Sequence, residues 1–121
     1  MREPAARPLH VLFICRQNRR RSATAERIFG KDPALDVRSA GTEPGALVPV
    51  NARMLEWADV IFTMDDDQQR TLERDFPSHA AVERVICLNI PDRYLFLDPE
   101  LVRLLEERAT PHIDRKLTAE T

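Results

Sequence analysis

Lysine is nearly missing from this 121-residue chain: Lys31 and Lys116 stand against 16 arginines. Positive charge is therefore carried by planar guanidinium forks, which suit bidentate phosphate recognition better than a point charge does. Cysteine is as scarce. Cys15 and Cys87, far apart in sequence, match neither a disulfide scaffold nor a C-x-x-C metal pair and suit a reducing compartment. Long apolar runs are lacking too. The run over residues 9–14 is too short for a signal or a membrane span, so a cytoplasmic protein with no membrane partner is expected. No internal repeat, heptad pattern or extended low-complexity tract is found, which leaves one compact domain as the expectation.

The formal net charge of −2 conceals a local concentration of positive charge. Arg16, Arg19, Arg20 and Arg21 fall within six consecutive positions, a field that points to an anionic partner.

Strand and helix signals alternate along the chain. Residues 1–8, polar and proline-rich, read as a flexible N-terminus, and residues 9–121 as the folded domain. The run at residues 9–14 has the composition of a parallel strand buried on both faces. Ser22 offers an N-cap to a helix whose Ala25, Ile28 and Phe29 share one face before Gly30. A second strand is predicted over residues 35–40, followed by a loop over 42–49 and a short helix capped by Asn51. A third strand is expected over residues 59–64, a helix capped by Asp65 and Asp66 and ending before Pro77, and a fourth strand over 84–90. Asp98 and Pro99 open the last helix, with Leu101, Leu104 and Leu105 as its buried stripe and Pro111 kinking or ending it. Such alternation predicts a single-domain α/β fold. It would hold a four-stranded parallel sheet with helices on both faces and ligands beyond the strands' carboxyl ends; the expected strand order is 2-1-3-4.

Cys15 stands at one of those ends. The loop Cys15-Arg16-Gln17-Asn18-Arg19-Arg20-Arg21-Ser22 joins strand to helix, so its backbone N–H groups can form an anion nest backed by the helix dipole. A helix N-terminus and arginines favour a reactive thiolate, and the five-residue spacing returns Arg21 to the same anion. The bare pattern C-x5-R is weak among so many arginines. Cys87 and Arg93 match it as well, but Pro91 removes an N–H there and Asp92 would repel an anion.

In order along the chain, Val11-Leu12-Phe13-Ile14-Cys15, Asn18, Arg21-Ser22, Ala25-Glu26 and Ser39-Ala40-Gly41-Thr42 resemble the low-molecular-weight protein tyrosine phosphatases. Ile90-Pro91-Asp92-Arg93-Tyr94 resembles that family's general-acid loop, so the likeness runs from residue 9 to about residue 108. The resemblance implies a phosphomonoester hydrolase, without metal or other cofactor, that acts on phosphorylated protein or an aryl phosphate through a phosphocysteine at Cys15. In that reading Arg21 holds the phosphoryl group, Asp92 is general acid and then base, and Arg16, Gln17, Asn18, Arg19 and Arg20 complete the phosphate-binding loop. Ser22 supports the sulfur, Asn18 and Ser39 brace the loop, and Tyr94 forms an aromatic wall at the substrate rim. Gln17 departs from the family's usual glycine, Arg20 from a second cysteine found in eukaryotic members, and the segment between Thr42 and Trp57 is short.

Several residues carry competing readings. Arg16, Arg19 and Arg20 fit a solvated rim as well as a subsite for a polyanionic substrate or a nucleic-acid phosphate. Asp98 competes with Asp92 for the acid role but looks like a helix cap. Asp65, Asp66 and Asp67 read as capping and dipole partners rather than metal ligands. Cys87 reads as a core residue, a redox partnership with Cys15 being the alternative. His10, His79 and His112 share no pattern and enter no mechanism. Two rival functions are an arsenate reductase, which would need further cysteines near the third strand where Met64 stands, and a non-catalytic phosphate- or polynucleotide-binding module.

Overall fold

Four parallel strands form one sheet in the order β2-β1-β3-β4 in the computed structural model, which describes residues 7–119. The tail expected over residues 1–8 lies outside the described residues except for Arg7 and Pro8. The strands are β1 (Leu9–Cys15), β2 (Leu35–Gly41), β3 (Val60–Thr63) and β4 (Ile86–Cys87). The helices are α1 (Arg21–Phe29), α2 (Ala52–Trp57), α3 (Asp66–Asp75) and α4 (Pro99–Ala119), with a 3₁₀ turn at Ala80–Arg84. The fold class and strand order are those expected.

β1 is central and buried on both faces because its alternate residues feed two cores. Leu9, Val11 and Phe13 pack with Ala25 of α1 and with Leu101, Leu105 and Ile113 of α4. Leu12 and Ile14 pack on the opposite face with Leu55 of α2 and Leu72 of α3. Phe13 stacks between Phe29 and Phe62, at centroid distances of 5.3 and 5.1 Å. Helices thus cover both faces, and the loops at the carboxyl ends of the strands converge at one end of the sheet.

The caps at α2, α3 and α4 form as the residue types predict. Asn51 accepts from Met54 N at 3.0 Å, Asp65 forms a reciprocal capping box with Gln68, and Asp98 accepts from Glu100 N at 2.8 Å.

Local signals missed four boundaries. Helix α1 starts at Arg21 with Arg20 as N-cap and no side-chain capping bond; Ser22 lies inside the helix because its hydroxyl is engaged by the Cys15 sulfur. β3 is shorter than expected, since Asp59 is used to accept from His10 N at 2.8 Å. β4 keeps two residues, because Asn89 adopts a positive φ of 55° that breaks the extended run. α4 neither ends nor breaks at Pro111: Pro111 faces solvent, and Ile113 beyond it is fully buried, so packing outweighs the missing N–H.

Candidate active site

Cys15 closes β1, and the chain immediately curls back over its sulfur. Asn18 takes φ 60°, a left-handed conformation that asparagine tolerates better than most residues, and this aims its N–H at Cys15 Sγ, 3.2 Å away. The helix that follows brings Ser22 Oγ to 2.9 Å from the same sulfur.

Proton directions around this serine can be traced from asparagine chemistry. The Asn18 amide nitrogen can only donate, and it donates to Ser22 Oγ at 2.9 Å and to Ser39 Oγ at 2.8 Å. Ser39 in turn donates to Glu26 Oε1 at 2.6 Å. Ser22 is left with its own proton for the sulfur or for the carbonyl of Ala40 at 3.4 Å, and the shorter contact favours the sulfur. Asn18, Ser22 and Ser39 are all buried. The Glu26 link was missed in the sequence, where Glu26 carried no role.

Arg21 is the largest fully buried side chain among the described residues, 1% exposed. Its Nη1 donates to Asp65 Oδ2 at 2.8 Å and to the Ile90 carbonyl at 2.9 Å, while Nη2 lies 3.7 Å from Asp92 Oδ2. Asp65 was read as a helix cap alone; it is a cap and the partner of Arg21 at once. Only its position one residue after Met64, at the carboxyl end of β3, hinted at this.

Cys15, Arg21 and Asp92 line one cavity of about 140 Å³ together with Arg16, Gln17, Arg19 and Arg20. Asp92 comes from the loop after β4, which is tied to α1 by Leu97 N donating to Thr24 Oγ1 at 3.0 Å. The sheet brings these residues together from widely separated stretches of chain.

The segment after β2 is strapped to the loop that follows Cys15 by backbone bonds from Thr42 N to Cys15 O, Glu43 N to Arg16 O and Leu47 N to Gln17 O, each 3.0 Å. Glu43 also pairs with Arg16 at 2.8 Å and accepts from Gln17 Nε2 at 3.3 Å. The hydrogen bond from Glu43, with the attraction of its charge, raises the Arg16 pKa above its ordinary value.

Tyr94 does not stand where it was expected. It is 7% exposed and packs in the core beside Leu101 and Leu105, because the loop turns its ring inward after Arg93, and it does not line the cavity. Asp98 caps α4. Cys87 is half-buried at the sheet edge. Among the described residues no group of three or more His, Cys, Asp or Glu could hold a metal ion, and no helix is long and apolar enough to cross a membrane.

No protein-family model and no curated protein matches the chain in sequence. Solved structures do match in shape. The low-molecular-weight protein tyrosine phosphatase SP-PTP from Streptococcus pyogenes superposes with a TM-score of 0.73 at 16% identity, over 88% of this chain and 92% of that one. The tyrosine phosphatase Wzb from Escherichia coli K30, in complex with phosphate, gives 0.71 at 20% identity, over 88% and 96%. The YwlE arginine phosphatase from Geobacillus stearothermophilus gives 0.69 at 17% identity, over 94% and 98%. The chain has the low-molecular-weight protein tyrosine phosphatase fold. In this phosphatase fold the Cys15 loop lies at the carboxyl end of the central strand, beside the ends of β2 and β3.

Proposed function

We propose that the protein is a cysteine-dependent phosphomonoester hydrolase, acting on phosphotyrosine in proteins. The observation that carries this reading is the convergence of Asn18 N and Ser22 Oγ on the Cys15 sulfur, in a cavity that also holds the Arg21 guanidinium and the Asp92 carboxyl.

Cys15 Sγ attacks phosphorus as the thiolate while the bond to the leaving oxygen breaks. Asp92 gives that oxygen its proton, and a phosphocysteine remains. Arg21 and the loop N–H groups receive the charge that spreads over the three phosphoryl oxygens. Water then attacks the phosphocysteine, Asp92 takes the water's proton, and the S–P bond breaks to release inorganic phosphate and the thiolate. The Ser22 hydroxyl stabilises sulfur both as attacker and as leaving group, and the Asn18–Ser39–Glu26 chain fixes that hydroxyl. The paucity of cysteine and the lack of pairing between Cys15 and Cys87 support a cytoplasmic setting.

The test is hydrolysis of p-nitrophenyl phosphate and of a phosphotyrosyl peptide in the presence of a chelator, with mass spectrometry of the acid-quenched enzyme. Turnover and a phosphate adduct on Cys15 are expected, both lost in Cys15→Ser, and Asp92→Ala should lose most on substrates with poor leaving groups. Undiminished turnover by the serine variant would end the proposal, and faster turnover of a matched phosphoarginyl peptide would reassign the substrate.

A further inference from the structure

The four arginines of the phosphate loop have different fates. Arg21 is buried against Asp65, and Arg16 is neutralised by Glu43. Arg19 and Arg20 remain. Both are exposed, both line the Cys15 cavity, and neither makes an ion pair or side-chain hydrogen bond among the described residues. Two guanidiniums in the wall of an anion cavity, with no carboxylate of the described residues within ion-pair distance although Asp92 lines the same cavity, form a second anion subsite, distinct from the one Arg21 serves.

The wall of the cavity adds a second constraint. With Tyr94 turned into the core, no aromatic side chain lines it, so an aryl group gains no stacking there and selectivity falls to charge. The positive strip is also short. Beyond Arg16 the surface turns mixed, with Glu43 and Asp67 beside Arg70 and Arg74, and the whole chain is slightly acidic. A polynucleotide would need an extended basic track; a single anionic group next to the phosphate needs only Arg19 and Arg20. A neighbouring groove holds the exposed apolar side chains of Leu47, Val48 and Phe96, with Glu26 and Arg27 also in its wall, which suits a polypeptide carrying an apolar residue near its charged ones.

Resting on the hydrolase reading, we infer that Arg19 and Arg20 select phosphorylated protein segments in which a carboxylate directly flanks the phosphorylated side chain. The flanking acid pairs with these two guanidiniums while the phosphoryl group occupies the Cys15 loop.

Two phosphotyrosyl peptides of equal length, one with aspartates and one with asparagines on both sides of the phosphotyrosine, test this by the ratio of their kcat/KM values. The ratio should be about 10 in favour of the acidic peptide at low ionic strength and fall towards unity in high salt. The Arg19→Gln/Arg20→Gln enzyme should lose the preference and Arg19→Lys/Arg20→Lys should keep most of it, with circular dichroism showing that each is folded. Equal rates for the two peptides in the unmodified enzyme, or a preference that survives the double glutamine change, would overturn the inference. So would inhibition by a single-stranded oligonucleotide that exceeds, charge for charge, that by the acidic peptide. Failure of the underlying hydrolase reading looks different: neither peptide, nor p-nitrophenyl phosphate, would be turned over in a Cys15-dependent way.

Discussion

Arg21 and Asp65, 44 residues apart in sequence, meet at 2.8 Å beside the Cys15 loop. The guanidinium is almost fully buried and its partner about one-third exposed, so the carboxylate meets solvent on one side while it orients the arginine on the other. The same Asp65 accepts from Asp67 N at 3.0 Å and thereby starts α3. Helix initiation and arginine placement are joined in one side chain, and substitutions can separate them.

Asp65→Asn keeps the capping oxygen and removes the charge. It should keep helix α3 but leave the buried Arg21 charge without its closest partner, which costs about 3 kcal/mol of stability and about 10- to 100-fold in kcat/KM. Asp65→Ala should show both losses plus about 1 kcal/mol of stability for the missing cap. Steady-state kinetics and urea unfolding of both variants check this, and full activity in Asp65→Asn would mean that Arg21 is held without its help.

Gly41 ends β2 where no side chain fits. A Cβ there would lie 2.6 Å from the Arg16 carbonyl oxygen, 2.6 Å from Ala46 Cβ and 3.0 Å from Asn18 N. Two of these are backbone atoms of the Cys15 loop, which cannot rotate away. Gly41→Ala should destabilise the protein by about 1–3 kcal/mol and depress kcat by displacing the loop, whereas alanine at Gly45, which has open space around it, should leave activity unchanged.

Oxidation of Cys15 should run past the reversible stage. β3 separates β1 from β4, so at about 4.8 Å per strand spacing Cys87 lies beyond the roughly 7 Å between Cα atoms that a disulfide tolerates. With position 20 an arginine, no resolving thiol is available. Prolonged peroxide treatment should therefore abolish the proposed hydrolase activity in a way that thiols do not reverse, at the same rate in Cys87→Ser. Full recovery with dithiothreitol, or protection that depends on Cys87, would contradict this.

His112 makes stability sensitive to acid. Its Nδ1 lies 3.0 Å from Arg115 Nη2, which can only donate, so the ring is held neutral, in an edge-to-face contact with Phe62. Burial first, and the Arg115 charge second, push its pKa below the ordinary 6.5. The unfolded chain therefore takes up a proton before the native one does, and stability falls as pH drops from about 6.5 towards the lower native value. Above that window this group contributes no pH dependence. Thermal unfolding of the unmodified protein and His112→Phe at about pH 7.5 and about pH 5.5 should show a smaller acid-induced fall for the variant.

Much of this was legible in the chain because it depends on near neighbours. The apolar run of β1, the cysteine at its end, the arginine spacing of the loop and the caps at Asn51, Asp65 and Asp98 follow from alternation, side-chain reach and unsatisfied backbone groups, all local quantities. The alternation of strand and helix signals was enough for the parallel sheet, while its strand order does not follow from alternation.

Pairings across the sheet were not legible, because they depend on which strand ends are brought together. Nothing near Arg21 in sequence identifies Asp65 or the Ile90 carbonyl as its partners, nothing near Arg16 points to Glu43, and nothing near Tyr94 requires its ring to turn into the core. Sequence by itself determined what chemistry the loop could carry; tertiary structure decided which arginines stay unpaired to meet a ligand, since charge compensation is settled by proximity in space and not along the chain.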